Sequence, residues 1–386
     1  KPGCGFNRLV NRNGKPHYEA VPTVQKDLKA IILSELPQEI CATSWDIPFS
    51  EVISGNASID SFVAQLSPEE LDQLTHGQGK MNSCYGVSGN AGAFGGVTES
   101  LGKRGIPPMI TADGPSGIRI RRTVSLLPCG TALASSFNQE GVELLYGLVS
   151  REMDHFGIHM LLAPGMNIHR NPLCGRNFEY YSEDPYLTGK IAAAAIRGIQ
   201  STGRSACPKH FACNNQETRR NRNDSRVSER ALREIYLKGF EIAVKTAQPM
   251  TIMSSYNLVN GVHTANSHDL LTAAARDEWG FAGYVMTDWG TSEDMSGLFA
   301  YKYNLKYGHS TSRECVLAGN DLQMPGQQGN RQEIVASVAD GTLPLGQLQT
   351  CAYRILNVVL QSLAYDDCKP YGDQFDLAEA VTVTKA

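Results

Sequence analysis

The chain has 386 residues, of which 41% are hydrophobic, so it is long enough for one large barrel or two ordinary domains and can bury a sizeable core. Its 35 Lys and Arg residues against 39 Asp and Glu residues leave a net charge of -4, which gives no electrostatic reason to expect a nucleic acid or an anionic membrane as partner. No run approaches the roughly 18 apolar residues that a membrane helix needs. The composition therefore predicts a soluble globular protein.

The cysteines predict an intracellular location. Ten of them are spread through the chain without the dense, regular spacing of a disulfide scaffold, so we interpret them as mostly reduced thiols of a cytoplasmic protein. Cys207 and Cys213 flank His210, but in an extended segment the imidazole faces away from the two thiols. Because no second paired motif completes a set of zinc ligands, the sequence indicates no metal site.

Residues 1–66 are polar and weakly periodic and are predicted to form an N-terminal connector. One helix is predicted over Val24–Leu36, ending before Pro37. Because the chain begins with Lys1 and its opening lacks an apolar signal core, we expect it to be a processed or truncated part of a longer product.

The next segment contains a clear helix start and a glycine-rich loop. Ser67 is predicted to cap a helix, with Pro68 at the first position and Glu70 completing a capping box. The loop Gly86–Gly96 lacks the Lys-Ser/Thr ending of a phosphate-binding loop. We interpret it as a mobile or closely packed rim of an active site.

Strand-like apolar runs then alternate with helices from about residue 107 to about residue 365, which is typical of βα units around a parallel sheet. Helices are predicted to begin after Asp184 and near Ser228. The second helix should present one apolar face, formed by Leu232, Ile235, Gly239, Phe240, Ala243 and Val244. The predicted strands are Pro108–Asp113, Ala132–Ser135, Met160–Ala163, Ala206–Phe211, Met250–Tyr256, Tyr284–Asp288 and a weaker Asp321–Met324.

The fold class predicted from this alternation is α/β, with a (β/α)8 TIM-like barrel. A span of about 260 residues is the usual size of such a barrel. An open doubly wound sheet is less favoured, because no Gly-x-Gly-x-x-Gly opens a helix after the first strand. We expect the connector 1–66, a catalytic barrel over 67–365 and a short C-terminal tail over 366–386.

The run Gly283–Gly290 is predicted to be a buried strand that places Asp288 and Trp289 side by side at its C-terminal end. Active sites of α/β barrels lie at that end of the strands. A lone Asp after a strand is also typical of a helix N-cap or a turn. The interpretation of Asp288 therefore depends on the other strand ends.

Polar side chains follow nearly every predicted strand. Converging carboxylate, guanidinium, ammonium, imidazole and indole groups suit a pyranose, because charged groups chelate vicinal hydroxyls and an aromatic face covers the C–H face of the ring. Taken singly, Arg176 and Glu183 could form a structural ion pair and Tyr256 could belong to the core. Together these side chains predict a sugar site formed by Asp113, Arg119, Arg176, Lys209, His210, Tyr256, Asp288 and Trp289.

Residues from about Ser67 to Gly341 resemble the barrel of glycoside hydrolase family 3, the β-glucosidase family. The resemblance lies in the motifs AFGG, ADGPSGIR, APGMNIHR, GRNFEYYSEDP, KHFACNNQETRR, SERALREIYLKGFE, IMSSYNLVNG and GFAGYVMTDWG. It implies that Asp288 is the nucleophile of a retaining mechanism with a covalent glycosyl-enzyme, needing no metal or organic cofactor, and that Trp289 and Tyr256 shape the pocket. It also implies that the sugar hydroxyls are bound by Asp113, Arg119, Arg176, Lys209, His210 and Arg220.

The connector, with GKPHYEAVPT ahead of the barrel, resembles that of permuted family members whose sandwich domain precedes the barrel. In two-domain members the catalytic acid is a Glu on the sandwich domain, so the resemblance implies that such a domain or a second polypeptide supplies the acid/base. Within the barrel the substitutes are Glu179, Glu183 and Glu217. The first two lie beside Arg176, where a cation favours the ionised form and makes a poor acid.

The sequence therefore predicts a retaining β-glycosidase that removes terminal non-reducing β-D-glucosyl residues from a β-glucoside or oligosaccharide. A single-domain β-N-acetylglucosaminidase is less favoured, because Asp224-Ser225-Arg226 lacks the catalytic His of that group. A β-xylosidase would use nearly the same residues. A non-catalytic sugar-binding barrel would have no use for Asp288. The arginines at 219, 220, 222 and 226 carry no interleaved aromatic residues, so no nucleic acid is expected.

Overall fold

The computed structural model describes residues 7–20, 27–43, 46–292, 310–326 and 328–363. The strands are β1 (Asn7–Arg12), β2 (Lys15–Ala20), β3 (Gly92–Gly95), β4 (Pro108–Asp113), β5 (Met160–Leu162), β6 (Ser205–Ala206), β7 (Asp224–Ser225), β8 (Thr251–Met253), β9 (Leu258–Val259), β10 (Val262–His263) and β11 (Tyr284–Met286). The first helices are α1 (Leu28–Ser34), α2 (Phe49–Ile53), α3 (Ile59–Ala64), α4 (Pro68–Leu74), α5 (Glu99–Lys103), α6 (Gly130–Ser135) and α7 (Gln139–His155). The later helices are α8 (Pro185–Gln200), α9 (Glu229–Ala231), α10 (Lys238–Ala247), α11 (Ser312–Leu317), α12 (Gln328–Ala339) and α13 (Leu345–Leu363). Short 3-10 turns cover Asn177–Glu179, Arg220–Arg222 and Thr264–Asn266, and π-helical turns cover Leu232–Tyr236 and Asp269–Glu278.

The helix starts predicted from local residue patterns are confirmed. The Ser67 hydroxyl accepts the Glu70 N–H at 3.2 Å, and the Glu70 carboxylate accepts the Ser67 N–H at 3.1 Å, which completes the capping box of α4. Asp184 accepts two backbone N–H groups at the start of α8. Helix α1 lies within the predicted helix, of which residues 24–26 fall outside the described chain.

The predicted helix after Ser228 is interrupted by a π-helical turn between α9 and α10. Because a π-helical turn uses i→i+5 hydrogen bonds, it changes which side of the helix faces the core. Gly239, Phe240, Ala243 and Val244 are buried as predicted, whereas Leu232 and Ile235 are only partly buried.

Four of the seven predicted strands contain a strand: β4, β5, β8 and β11. The strand predicted at Ala206–Phe211 overlaps β6 only at Ala206 and continues as isolated bridges at Lys209 and Phe211. The weaker prediction at Asp321–Met324 yields isolated bridges at Leu322 and Gln323. The strand predicted at Ala132–Ser135 is wrong, because this segment is part of α6. Ala and Leu are strong helix formers, and a short apolar run does not distinguish a strand from a buried helix.

The strands form an α/β fold with mainly parallel pairing. One sheet has the order β3-β4-β5-β6, in which β4, β5 and β6 are parallel and β3 is antiparallel to β4. Strands β8 and β11 pair in parallel, and a parallel bridge between Phe211 and Ser254 links the two groups. The carboxyl ends of the parallel strands therefore lie at one common edge.

The pairing continues past β11 to the other side of β3. Leu322 forms a parallel bridge with Met286, and Gln323 forms one with His76. Two residues further on, the Gln78 N–H donates to the Ala93 carbonyl of β3 at 2.8 Å. Backbone hydrogen bonds thus connect the segment at His76 both to the last bridges and to the first strand of the sheet.

Both faces of the strands are buried. In β11, Val285 packs in a core cluster with residues of α7, α8 and α10, whereas Tyr284 and Met286 pack in a second cluster with Phe94 and residues of α13. This alternation follows from the two-residue period of a strand, and it explains the continuous apolar runs in the sequence.

The second core cluster also contains Phe49, Phe62, Val63 and Leu66 from the predicted connector. The last third of that segment therefore packs on the core, while the hairpin of β1 and β2 is largely exposed. The domain boundary at residues 66 and 67 stays a prediction.

Within the described ranges, no helix has both the length and the apolar character needed to cross a bilayer.

An ionic cluster of Asp321, Arg276 and Arg354 stabilises β11. Asp321 is fully buried and accepts hydrogen bonds from Arg276, from Arg354 at 3.0 Å and from the Val285 N–H at 2.8 Å. Burial lowers the pKa of Arg276 to about 10, and Asp321 opposes that shift. The carboxylate therefore compensates the buried guanidinium of Arg276, the partly exposed guanidinium of Arg354 and one strand N–H.

We predict that Asp321→Ala lowers the free energy of unfolding by about 3–5 kcal/mol, because it leaves Arg276 buried without its counter-ion. Urea denaturation of the purified chain measures the change. Arg354→Leu should cost less, since it removes only the partly exposed partner. The matched control is Glu99→Gln, which removes an exposed pair with Lys103 and should change stability by less than about 1 kcal/mol. Equal effects of the Asp321 and Glu99 variants would contradict this prediction.

Candidate active site

Asp288 lies two residues beyond the end of β11 and is 8% exposed. Its Oδ1 accepts the N–H of Trp289 at 2.7 Å, and its carbonyl accepts the Thr291 hydroxyl at 2.8 Å. One carboxylate oxygen thus forms a turn, as a lone Asp after a strand commonly does. The other oxygen, Oδ2, lies 3.7 Å from Nε2 of His210.

A cleft of about 1030 Å³ lies at this edge of the sheet. It is lined by all nine residues that the sequence and the family resemblance put forward as site residues: Asp113, Arg119, Arg176, Lys209, His210, Arg220, Tyr256, Asp288 and Trp289. These residues come from six separate segments of the chain. The structure brings them together because the parallel strands end at a common edge.

Asp113 is held as an anion by two cations. Nζ of the buried Lys209 lies 2.7 Å from its Oδ1, and Nη2 of the exposed Arg119 lies 2.6 Å from its Oδ2. Burial alone would raise the pKa of Asp113, but Lys209 foremost, then Arg119 and Arg176, outweigh it and hold that pKa below its usual value. Asp113 and Lys209 therefore present an acceptor and a donor side by side.

At Asp288 the effect of burial on the pKa exceeds the effect of the neighbouring cations. Burial raises the pKa of Asp288 above its usual value, and the cations Arg220, Arg176 and Lys209 only partly offset this effect. The carboxylate is poorly solvated and makes one backbone hydrogen bond. Such a group is more nucleophilic than a carboxylate in water.

His210 is fixed by its neighbours and is neutral. Its backbone N–H donates to Asn167 Oδ1 at 2.8 Å, and its carbonyl accepts Nδ2 of the same residue at 2.9 Å. Burial, followed by the charges of Arg176 and Lys209, holds the pKa of the imidazole well below its usual value.

The hydrogen bonds of the ring also assign its proton. Nη1 of Arg176 lies 3.1 Å from Nε2 of His210, and a guanidinium can only donate, so Nε2 accepts. The proton is therefore on Nδ1, which lies 3.2 Å from the Tyr180 hydroxyl and 3.3 Å from Asn167 Oδ1. His210 is thus a neutral Nδ1–H imidazole whose Nε2 orients Arg176.

Arg176 forms an ion pair with Glu179, three residues along the chain. The alternative pairing of Arg176 with Glu183 is wrong, because Glu183 is exposed and Glu179 lies buried in the 3-10 turn that follows Arg176. A turn brings residues three apart together, whereas Glu183 lies beyond the turn.

The aromatic wall of the cleft is locked by hydrogen bonds and one cation–π contact. The Arg220 guanidinium lies 4.6 Å from the centre of the Tyr256 ring, and its Nη1 donates to Glu217 at 3.0 Å. The Tyr256 hydroxyl donates to the Trp289 carbonyl at 2.7 Å. Trp289 Nε1 donates to the carbonyl of Ala91 at 3.1 Å, so the glycine-rich loop reaches the cleft through its backbone.

Sequence reasoning missed the polar residues behind this first layer. Asn214 donates to the Tyr180 hydroxyl at 3.2 Å and to Glu217 at 3.0 Å, which connects His210 to the partner of Arg220. Tyr180 and Asn214 each stand four residues from a predicted site residue, whereas Asn167 stands nine residues before Arg176. That proximity was the one signal available, since each of them looks like an ordinary buried polar residue.

Residues 92–358 match the sequence profile described as the Glycosyl hydrolase family 3 N terminal domain. The chain belongs to glycosyl hydrolase family 3. The match covers more than half of the chain and spans every segment of the cleft from β3 to Trp289.

Relatives and solved structures of the family are similar over most of the chain. A beta-glucosidase of Ruminococcus albus is 42% identical over 369 residues, which cover 94% of this chain and 38% of that protein. The crystal structure of a beta-glucosidase from Paenibacillus barengoltzii has a TM-score of 0.83 and 44% identity, covering 94% of this chain and 40% of that one. Beta-glucosidase 3B from Thermotoga neapolitana, in complex with glucose, has a TM-score of 0.75 and 38% identity, covering 85% of this chain and 46% of that one. The chain thus spans less than half the length of each of these family 3 relatives.

We predict that His210 stays a neutral Nδ1–H imidazole down to acidic pH. Nitrogen-15 NMR of histidine-labelled protein should place the proton on Nδ1, with the signal assigned by its loss in His210→Gln. The sign of the stability effect follows: the unfolded chain binds a proton below about pH 6.5 that folded His210 does not bind, so the free energy of unfolding falls as the pH drops through that value. A signal from Nε2–H, or an ordinary titration, would contradict the assignment.

Proposed function

We propose that the protein is a retaining β-glycosidase that hydrolyses terminal non-reducing β-D-glucosyl residues of a β-glucoside or oligosaccharide. The proposal depends on the desolvated carboxylate of Asp288 at the floor of the cleft. The walls of the cleft hold a hydrogen-bond acceptor, Asp113, a donor, Lys209, and the aromatic rings of Tyr256 and Trp289. The three family 3 relatives named above are beta-glucosidases, which supports the choice of glucose.

In the proposed mechanism, Oδ2 of Asp288 attacks the anomeric carbon while the bond to the leaving oxygen breaks and that oxygen takes a proton. The resulting glycosyl ester is hydrolysed by water, so the product retains its configuration. Asp113 accepts from one hydroxyl of the sugar and Lys209 donates to its neighbour. Trp289 and Tyr256 cover apolar C–H groups of the ring.

Arg119, Arg176, His210 and Arg220 are proposed to complete the hydroxyl-binding set. The hydrogen bonds of His210 favour an indirect role in sugar binding, since its Nε2 accepts a hydrogen bond from Arg176. His210 would then position the guanidinium, and the guanidinium would donate to the sugar. No metal or organic cofactor enters this mechanism.

The acid/base is proposed to be a Glu supplied by a sandwich domain or a second polypeptide. Among the described residues, the candidate carboxylates are held by cations: Asp113 by Lys209, Glu179 by Arg176 and Glu217 by Arg220. Lys209 and the neighbouring arginines hold the pKa of Asp113 below its usual value, so that carboxylate is a poor proton donor. The greater length of the relatives supports a further domain.

We also propose the finer organisation that the sequence predicted. The hydrogen bonds between β3, His76 and Gln323 support a closed (β/α)8-like barrel over 67–365, preceded by the connector 1–66 and followed by the tail 366–386. The alignment to the Ruminococcus albus relative covers 94% of the chain and so includes part of this connector, which we propose to be of the permuted type. The free thiols of seven described cysteines support a cytoplasmic location: Cys41, Cys84, Cys129, Cys174, Cys207, Cys213 and Cys351.

Asp288→Asn should reduce turnover of dinitrophenyl β-glucoside by about three orders of magnitude or more, because the amide cannot form the glycosyl ester. A 2-deoxy-2-fluoro glucoside with a good leaving group should label Asp288, as read by peptide mass spectrometry. The Asn variant is the control and should stay unlabelled. A label on Glu179, Glu183 or Asp184 would show that another carboxylate is the nucleophile.

The chain of residues 1–386 should hydrolyse dinitrophenyl β-glucoside, whose leaving group needs no proton, but should cleave cellobiose poorly. The two rates are compared on the same preparation. Adding the upstream domain, in cis or as a separate polypeptide, should raise the cellobiose rate and leave the aryl rate nearly unchanged. Full cellobiose hydrolysis by the isolated chain would refute an external acid, and Glu217→Gln would then test the nearest internal candidate.

A further inference from the structure

A fully buried carboxylate lies on α7, outside the cleft. Glu152 is 0% exposed, does not line the cleft, and forms no ion pair with a Lys, Arg or His among the described residues. Burial raises the pKa of Glu152, and its hydrogen bonding to Ser125 only partly offsets that rise. Acidic side chains are rarely buried unless they are paired, so packing alone does not explain this residue.

Two side chains of α7 hold residues 114–127, which we call the Arg119 loop. Oε1 of Glu152 accepts the N–H of Ser125 at 2.8 Å. Earlier on the same helix, the Tyr146 hydroxyl donates to the carbonyl of Pro115 at 2.5 Å. The loop is therefore bonded to α7 near its beginning and near its end.

The two sides of the Arg119 loop touch each other, so a bond at Ser125 also acts near Arg119. Gly117 has a φ of +115°, and a Cβ atom built on it would lie 2.3 Å from the carbonyl oxygen of Ser125. The N–H of Arg119 donates to the carbonyl of Asp113 at 2.6 Å. A displacement of Ser125 would therefore move the backbone that precedes Arg119.

The side chain of Arg119 depends on that backbone for its position. It is 73% exposed, and its Nη2 lies 2.6 Å from Oδ2 of Asp113. An ion pair to a side chain exposed to this extent is weak, because water screens it and ordering the long side chain costs entropy. The pair with Asp113 alone therefore does not fix the loop.

We propose that Glu152 is a positioning residue: by holding Ser125 it sets the backbone of the Arg119 loop and so directs Arg119 towards the sugar. The proposal rests on the glycosidase function proposed above, in which Arg119 belongs to the hydroxyl-binding set. Glu152 touches neither the sugar nor the reacting atoms. Its effect on sugar binding should therefore be present only while Arg119 is in place.

The test measures the dissociation constant of methyl 1-thio-β-D-glucoside, which resists hydrolysis, by titration calorimetry with the full chain. Glu152→Leu removes the acceptor and should weaken binding about ten-fold, as expected for the loss of a hydrogen bond from a charged donor. Glu152→Gln keeps the acceptor and should bind within about two-fold of the unaltered chain. Arg119→Ala should also weaken binding about ten-fold, and adding Glu152→Leu to it should change the constant by less than about two-fold.

Ser150→Ala is the matched control, because the buried hydroxyl of Ser150 lies on the same helix but donates to the carbonyl of Ile199 at 2.5 Å. This variant should leave the dissociation constant unchanged. If Glu152→Leu fails to fold, Gly117→Ala displaces the same loop from within and should weaken binding only while Arg119 is present.

Three results would overturn the positioning role while leaving the sugar pocket in place. They are an unchanged dissociation constant in Glu152→Leu, an equal loss in Glu152→Gln, and a loss that persists in the absence of Arg119. Failure of the unaltered chain to bind the thioglucoside would overturn the proposed sugar pocket itself, and this proposal with it.

Discussion

Asp321 holds Arg276, Arg354 and the N–H of Val285 on one buried carboxylate. A carboxylate in the interior needs opposite charge and donors around it, because the cost of removing it from water is several kcal/mol. Here those partners include the strand that carries Asp288. The position of the proposed nucleophile therefore depends on an ionic cluster whose residues do not line the cleft. Loss of one of these ion pairs would displace the backbone of β11 and, with it, Asp288.

The nine predicted site residues of the cleft include two carboxylates, four cations and a neutral imidazole. Lys209 and Arg119 neutralise Asp113 directly, which makes it a dependable acceptor. Asp288 has cations nearby but no direct ion pair to Lys or Arg among the described residues, so burial decides the direction of its pKa shift. Two carboxylates of the same chemical type thus differ in reactivity because one is paired and the other is desolvated. The neutral His210 allows Arg176 to approach without adding a further charge.

The sequence predicted features that depend on near neighbours. The capping box of Ser67 and Glu70 is a local pattern, and the strand ends that carry Asp113, Lys209 and Asp288 follow from short apolar runs. It could not predict that Asp321 pairs with Arg276 and Arg354, which stand 45 and 33 residues away. The helix at Ala132 and the π-helical turn after Leu232 were missed because apolar periodicity does not report hydrogen-bond spacing.

The antiparallel direction of β3 has a consequence for how the cleft is built. In the parallel strands, the residues that follow the strand reach the cleft, but in β3 the residues that precede it do so, and Ala91 at this end accepts the indole N–H of Trp289. The connection that leaves β3 at Val97 emerges at the opposite end of the sheet. Extra residues inserted there would extend the protein at the end of the sheet away from the cleft. The same insertion between Ser83 and Ser88 would instead change the depth of the cleft entrance. Sequence variation between Ser83 and Ser88 should therefore alter the shape of the cleft entrance, because these residues precede β3.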